Sequence, residues 1–234
     1  MKTTSKLLKQ KEIEQTLGIK IKDKNIWLMA LTHKSWLFFH PEIKLPHNER
    51  LEFLGDAVLE LITSLYLYLN FPHLGEGEMS LIRASLVNRD RLGEIAKKLK
   101  IEKFLLMGKN FDEKGLKTVL ADSLEAIIGA IFLDLGFEKA KGFIEKNILS
   151  QVEEIVEQKR YKDPKTLLQE ILQKKFKSLP EYKILEISGP PHKRYFKVGL
   201  YLNGKLTAKG QGSSKKEAEI DAAMKTLEKF HHLT

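Results

Sequence analysis

Apolar positions recur at helical spacing through most of the first 150 residues. The clearest runs are 25–35, 49–70, 79–99 and 119–135, followed by an amphipathic run from 137 to about 158. Breakers fall between them: Pro41 and Pro46, then Pro72, Gly75 and Gly77, then Gly108 and Gly115. Strand signals are nearly absent, so this part is expected to be all-α. After a charged stretch, 153–161, the pattern changes. Asp163-Pro164 is a helix start, with an N-cap residue followed by proline at the first helical position. That helix is expected to reach about Phe176. Segments 182–187 and 194–202 then alternate in part and are rich in Tyr, Val, Ile and Leu. Asn203-Gly204 is a two-residue hairpin turn, and a third strand, 205–209, follows. Ser214-Lys-Lys-Glu217 is a capping box opening a last helix to about Phe230. The expected architecture is an all-α domain at 8–152, a linker at 153–161, and a small α-β-β-β-α domain at 162–232.

With 234 residues, 42% of them hydrophobic, the chain can bury a substantial core, and disorder is excluded as its main state. It has no cysteine, which excludes disulfides, thiolate zinc sites and a cysteine nucleophile. The longest apolar stretch, 57–71, is interrupted by Glu60 and is shorter than the roughly 20 residues that span a bilayer. The opening MKTTSKLLKQKEIEQ is basic but lacks the apolar core of a signal peptide. A cytoplasmic protein without a membrane partner is therefore expected.

Charge separates the two parts. Residues 1–160 carry 25 basic and 23 acidic side chains, whereas 161–234 carry 15 and 8. A small, strongly basic C-terminal part is the electrostatic footprint of a nucleic-acid-binding module. A basic membrane-surface segment is the rival reading. It is opposed by Glu217, Glu219 and Asp221 in the last predicted helix.

The nearly neutral N-terminal part concentrates its acids. In NERLEFLGDAVLEL, Glu49, Glu52, Asp56 and Glu60 stand at i, i+3, i+7 and i+11, along one stripe of an otherwise largely apolar helix. In VLADSLEAIIGAIF, Asp122 and Glu125 share a face of a second apolar helix. Carboxylates on apolar helices are costly unless paired or bound to metal. Hard divalent cations prefer such oxygen ligands, and two of them can activate water for phosphodiester hydrolysis. Two readings stay open on spacing alone: a solvated charged face, or two helices meeting to pool four carboxylates. The run Gly75-Glu76-Gly77-Glu78-Met79-Ser80 reads as a loop leading to a serine N-cap, or as a flexible loop that brings a carboxylate to the site.

These motifs resemble a known family. NERLEFLGDAVL closely resembles the signature of ribonuclease III, the endonuclease that cuts double-stranded RNA. ALTHKS at 30–35, GEGEMS at 75–80 and LADSLEAIIGAIFLD at 120–134 support the match. DPKTLLQE, GPPHKRYFKV and GSSKKEAEIDAA resemble a double-stranded-RNA-binding domain. The resemblance spans about residues 10–230. It implies Mg²⁺ (or Mn²⁺) held by Glu52, Asp56, Asp122 and Glu125, with Asp56 and Glu125 also catalytic and no small-molecule cofactor. Glu49 and Glu76 would assist metal and water placement, whereas Glu78 falls at a variable position and Glu60 at none of the family's. The resemblance also implies cleavage to 5′-phosphate and 3′-hydroxyl ends, a role in rRNA and mRNA processing, and a homodimer. Phe53 matches an aromatic that docks into the partner; its other reading is an intramolecular core residue. The run GKNFDEKGLKT, 108–118, departs from the family's usual Gly-Lys-Gly-Glu-rich segment.

A-form RNA hides its base edges in a deep, narrow groove, so such domains read duplex shape over about 16 bp through 2′-hydroxyls and phosphates. Thr166, Gln169, Glu170 and Gln173 share a helix face suited to 2′-hydroxyls, and His192 matches the loop that enters the next minor groove. Lys215 and Lys216 open the last helix, where the dipole favours phosphate. Glu219 stands where a third basic residue is common outside this enzyme family, leaving phosphate contact to Lys215, Lys216 and Lys209. The rival function is a catalytically silent duplex-RNA-binding or ribosome-associated protein, which would be recognised by missing acids; none is missing here.

Overall fold

A computed structural model describes residues 8–159 and 161–231; residue 232, the end of the expected second domain, lies outside them. The first helices are α1 (Gln10–Leu17), α2 (Lys24–Ala30), α3 (Lys34–Phe38) and α4 (Glu49–Asn70). They are followed by α5 (Glu76–Val87), α6 (Arg89–Lys98), α7 (Glu113–Leu135), α8 (Phe137–Asn147) and α9 (Val152–Glu157). Then come α10 (Pro164–Phe176), β1 (Glu181–Ser188), β2 (Tyr195–Leu202), β3 (Lys205–Gly212) and α11 (Lys215–His231). The chain divides into two units, one running to Glu154 and the other starting at Ile155, so the division falls inside α9.

The helical unit is organised around α4 and α7. Helix α7 is apolar nearly all round and buries Val119 through Ala121 and Ser123, Leu124 and Ala126 through Ile131. Such a helix is stable only at the centre of a core. Helix α4, which packs against it, buries Leu51, Val58, Leu59, Ile62 and Leu67. A Cβ on Gly55 would overlap the Glu125 carbonyl, and one on Gly129 would overlap the Leu51 carbonyl. The two backbones therefore touch at the crossing. Asp134, near the end of α7, accepts hydrogen bonds from Lys22 N, Asp23 N and Trp27 Nε1, at 2.9, 2.8 and 2.9 Å, and so fastens the start of α2.

Four expected elements differ, the first being the run 137–158, which is two helices, α8 and α9, separated by 148–151. The run 25–35 is not one helix. Between α2 and α3 the backbone pairs with Leu106: His33 N–H donates to Leu106 O (2.9 Å) and Leu106 N–H to Leu31 O (2.8 Å). The run 79–99 is broken at Asn88, whose backbone is extended. Its Oδ1 accepts from Arg91 N at 3.0 Å while its Nδ2 donates to Ser85 O at 2.9 Å, so one side chain closes α5 and opens α6. The segment GEGEMS is not a loop ending at a serine cap. Gly75 is the N-cap, and Glu76 and Glu78 lie in the first turn of α5, where carboxylates suit the helix dipole.

In the second unit β1, β2 and β3 form an antiparallel sheet in that order. Leu167, Leu168 and Leu172 of α10 and Ala222, Ala223 and Leu227 of α11 pack with Leu200 into one core. Asp163 caps α10, accepting from Lys165 N (3.0 Å) and Thr166 N (3.2 Å), with Pro164 at the first position. Asn203 and Gly204 turn the β2–β3 hairpin with φ of +49° and +78°. The α11 cap is the expected Ser214–Glu217 box, extended by one residue to Ser213. Glu217 Oε2 accepts from Ser213 N (2.9 Å) and Oγ (2.6 Å), and Ser214 Oγ accepts from Glu217 N at 3.2 Å. This unit is the expected α-β-β-β-α arrangement.

Candidate active site

The crossing of α4 and α7 brings acids from both signatures together. Glu52, Asp122 and Glu125 each offer a carboxylate oxygen, all within 4.8 Å of one another, and all three are half-buried. Asp56, one turn beyond Glu52 on α4, is exposed, and its charge acts on Glu125. Burial, followed by the charges of Asp56, Asp122 and Glu52, pushes the Glu125 carboxyl up to about 8. Burial also raises Glu52, reinforced by Asp122 and Glu49. Asp122 is raised by burial against the opposing pull of Arg89. This is a pool of hard oxygen donors whose mutual repulsion a cation would relieve. One Asp122 oxygen, Oδ1, is buried without a hydrogen bond, its nearest cation being Arg89 Nε at 3.4 Å. An oxygen-only donor set with an unsatisfied buried carboxylate oxygen fits a divalent metal ion.

Glu49 lies in the first turn of α4, where Lys34 Nζ pairs with it at 2.8 Å and His47 Nδ1 lies 3.6 Å away. The Lys34 hydrogen bond holds the Glu49 carboxyl below the usual range. Burial and then Lys34 push the His33 imidazole down, against the opposing pull of Asp122 and Glu49. Glu76 is not in the cluster. It accepts from Ser80 Oγ at 2.9 Å and lines a cleft with Ser64, Leu65, Tyr68 and Arg83, beside the C-terminal half of α4. Glu60 is exposed. The divergent run 108–118 packs against α3 and its cap residue His33. Gly108 N–H donates to Ser35 Oγ (2.8 Å), Phe111 meets the His33 ring edge-on, and Asp112 caps α7 by accepting from Gly115 N (2.7 Å). The ion pairs Lys34–Glu49 and Arg89–Asp122 have no signal in the sequence, since each joins residues of separate elements.

Phe53 is 81% exposed, so the intramolecular-core reading is overturned. It stands at one end of an exposed α4 stripe with Ala57, Leu61 and Tyr68, and lines a groove with exposed Leu133.

In the second unit Thr166, Gln169, Glu170 and Gln173 are all exposed along one face of α10, although Glu170 is engaged by Lys162 Nζ at 2.8 Å. His192 is exposed in the short turn Pro191–Lys193. Lys215 and Lys216 are exposed in the first turn of α11, and Lys209 is exposed on β3. Glu219, only 12% exposed at its side chain, takes Lys165 Nζ at 2.6 Å and Lys215 Nζ at 3.8 Å.

A Ribonuclease-III-like family model matches residues 23–152, and a double-stranded RNA binding motif model matches 164–230. Ribonuclease 3 of Carboxydothermus hydrogenoformans is 45% identical over 219 residues, 92% of this chain and 93% of the relative. Ribonuclease 3 of Enterococcus faecalis is 43% identical over 219 residues, 92% and 95% of the two chains. Among solved structures, the 2.2 Å nuclease domain of ribonuclease III from Campylobacter jejuni superposes with a TM-score of 0.53. It is 43% identical, covering 61% of this chain and 95% of that one. A second structure of that domain, described for flexibility in a region involved in dimer formation, gives 0.51 at 46% identity, covering 59% and 97%. A helical unit that pools carboxylates at a helix crossing, joined to a duplex-RNA-binding unit, defines an RNA-cutting enzyme. The chain belongs to the ribonuclease III family. Among the described residues no helix is long and apolar enough to cross a membrane.

Proposed function

We propose that this ribonuclease cleaves double-stranded RNA by divalent-metal-dependent phosphodiester hydrolysis, with Mg²⁺ as the ion and Mn²⁺ able to replace it. The observation that carries the reading is the meeting of Glu52, Asp122 and Glu125 within 4.8 Å beside Asp56, in a chain that also holds a duplex-RNA-binding domain. Glu52, Asp56, Asp122 and Glu125 would hold the metal. The ion supplies a Lewis acid that lowers the pKa of water and offsets charge on the phosphate.

The chain's own groups do the rest. In the absence of a cation Glu125 retains a proton near neutral pH, because its carboxyl is pushed up to about 8. Ionising it readies the cluster. Glu49, kept ionised by Lys34, orients water at the start of α4. A water oxygen forms the new bond to phosphorus in line with the P–O3′ bond. That bond breaks, its electron pair leaves on O3′, and a proton completes the 3′-hydroxyl; the water oxygen stays on the 5′-phosphate. No covalent protein–RNA intermediate is needed.

The second domain, 162–232, holds the duplex through Thr166, Gln169, Glu170 and Gln173, the His192 turn, and Lys215 and Lys216. The nuclease domain, 8–152, pairs as a homodimer through the exposed stripe that begins at Phe53. Self-complementary pairing about a two-fold axis through the middle of that stripe, and normal to it, runs the two α4 helices antiparallel. That pairing carries Glu76, at the Tyr68 end, toward the acid end of the other copy, where it assists cleavage. The expected substrates are rRNA and mRNA precursors. Mapping product ends on a plain RNA duplex, with Mg²⁺ and with EDTA, tests the reading. It predicts 5′-phosphate and 3′-hydroxyl ends with short 3′ overhangs, formed only with metal. Binding without cleavage at any Mg²⁺ or Mn²⁺ concentration would leave a silent RNA-binding protein instead.

A further inference from the structure

Among the described residues outside both signature helices, Arg89 is ion-paired to the acid cluster itself, whereas Lys34 pairs with Glu49 and adds only a longer-range charge. Arg89 is the first residue of α6, placed there because Asn88 breaks the α5–α6 run and caps the new helix. Its Nε lies 3.4 Å from Asp122 Oδ1, the oxygen buried without a hydrogen bond. The contact is long and made through one nitrogen, and the arginine side chain is 65% exposed. Its charge also acts on Glu52 and Glu125. The other arginines of the described unit are engaged or placed elsewhere: Arg83 Nη1 donates to Ser64 Oγ, Arg91 Nη2 to Gln151 Oε1, and Arg50 lines the groove beside Phe53.

We propose that Arg89 is a phosphate-binding residue of the cleavage site, resting on Asp122 until metal claims that carboxylate and then turning to the scissile phosphate. The inference rests on the metal-dependent nuclease reading above. Four carboxylates repel an approaching phosphodiester, and the charge of any cations they would bind is largely offset by their own. A guanidinium outside the metal's ligand set adds a positive charge directed at the phosphate. Its planar fork fits two phosphate oxygens at once, which a carboxylate contact through Nε alone does not use. Asp122 cannot give the same lone pair to a metal and to Arg89, and a bound cation repels the guanidinium. A metal held through Asp122 Oδ1 would therefore weaken the hold on Arg89, whose side chain is already 65% exposed and would be able to turn to a phosphate. The start of α6, where backbone N–H groups favour anions, adds to the attraction.

The test uses the full chain with Arg89→Gln and Arg89→Lys on a plain RNA duplex, alongside thermal melting with Mn²⁺ or Mg²⁺ alone. Arg89→Gln is expected to lower kcat at saturating metal by roughly 100-fold, the scale set by removing one transition-state donor. Duplex affinity should be unchanged, and the metal-induced melting shift should appear at equal or lower metal concentration, because a competing cation is gone. Arg89→Lys should recover part of kcat, as a point charge without the fork. A wild-type kcat in Arg89→Gln overturns the inference while leaving the nuclease reading intact. So does a loss of cleavage matched by a weaker metal-induced shift, since Arg89 would then only support Asp122. A wild-type chain that never cleaves removes the nuclease reading, and this inference with it.

Discussion

Gly55 of α4 and Gly129 of α7 face each other's helix backbone at the crossing, and neither leaves room for a side chain. That contact sets the separation of the helices, and so the distance between Glu52 on one and Glu125 on the other. Gly55→Ala must push the Glu125 carbonyl away, and Gly129→Ala the Leu51 carbonyl. Each variant is expected to lose about 1–3 kcal/mol of stability, the usual cost of overpacking. Each should also lose cleavage beyond that, because the carboxylates move apart. Denaturant unfolding and a cleavage assay on the folded fraction check both effects.

The acid cluster makes metal-free stability fall with pH. The Glu125 carboxyl ordinarily titrates at 4.5 but is pushed up to about 8 in the folded chain. Below the lower value both states hold the proton, and there is no effect. Between the two values only the unfolded chain releases it, so stability declines as pH rises and the full penalty is present above about 8. In EDTA the melting temperature of the nuclease unit should drop across this window. Glu125→Gln should flatten the decline, and saturating Mg²⁺ should reverse it by drawing off the proton.

Glu219 divides the two lysines that open α11. It holds Lys215 at 3.8 Å and Lys165 at 2.6 Å, whereas Lys216 has no ion-pair partner among the described residues. Lys216→Ala is therefore expected to weaken duplex binding more than Lys215→Ala. It should lower the slope of log K against log salt by about 1, as for one phosphate contact. Gln169→Ala with Gln173→Ala should weaken RNA duplex binding at any salt while leaving that slope alone. Binding isotherms at several salt concentrations separate the two effects.

Phe53 is the most exposed residue of the α4 stripe, equalled among the large apolar side chains of the described residues only by Phe38. An aromatic anchor in a partner's pocket is worth about 2 kcal/mol or more. Phe53→Ala should weaken self-association about 30-fold or more by that figure, with the fold unchanged by circular dichroism. Analytical ultracentrifugation over a dilution series reads the change.

Much of this was legible in the chain. The bounds of α4 coincide with the apolar run 49–70, since proline-rich sequence precedes it and Pro72 follows it. The capped start of α10 and the Asn203-Gly204 hairpin were equally plain, because local chemistry alone decides them. The breaks at 31–33 and Asn88 were not, because apolar spacing continues through both. The first is made by backbone pairing with Leu106, more than 70 residues away. Gly75 and Gly77 suggested a loop at Glu76, yet the first of them caps a helix. For the acids, spacing placed Glu52 and Asp56 on one stripe and Asp122 and Glu125 on another, and left open whether the stripes meet. The crossing glycines answer that for Glu52, Asp122 and Glu125. Arg89 carried no signal, because its meaning depends on where α6 begins in space.

The most direct measurement compares wild type with Glu125→Gln on one labelled RNA duplex, reading binding and cleavage at saturating Mg²⁺ in parallel. The account predicts unchanged binding by both, cleavage by the wild type alone, and no wild-type cleavage in EDTA. Cleavage by Glu125→Gln at the wild-type rate, or wild-type cleavage that persists in EDTA, would contradict it.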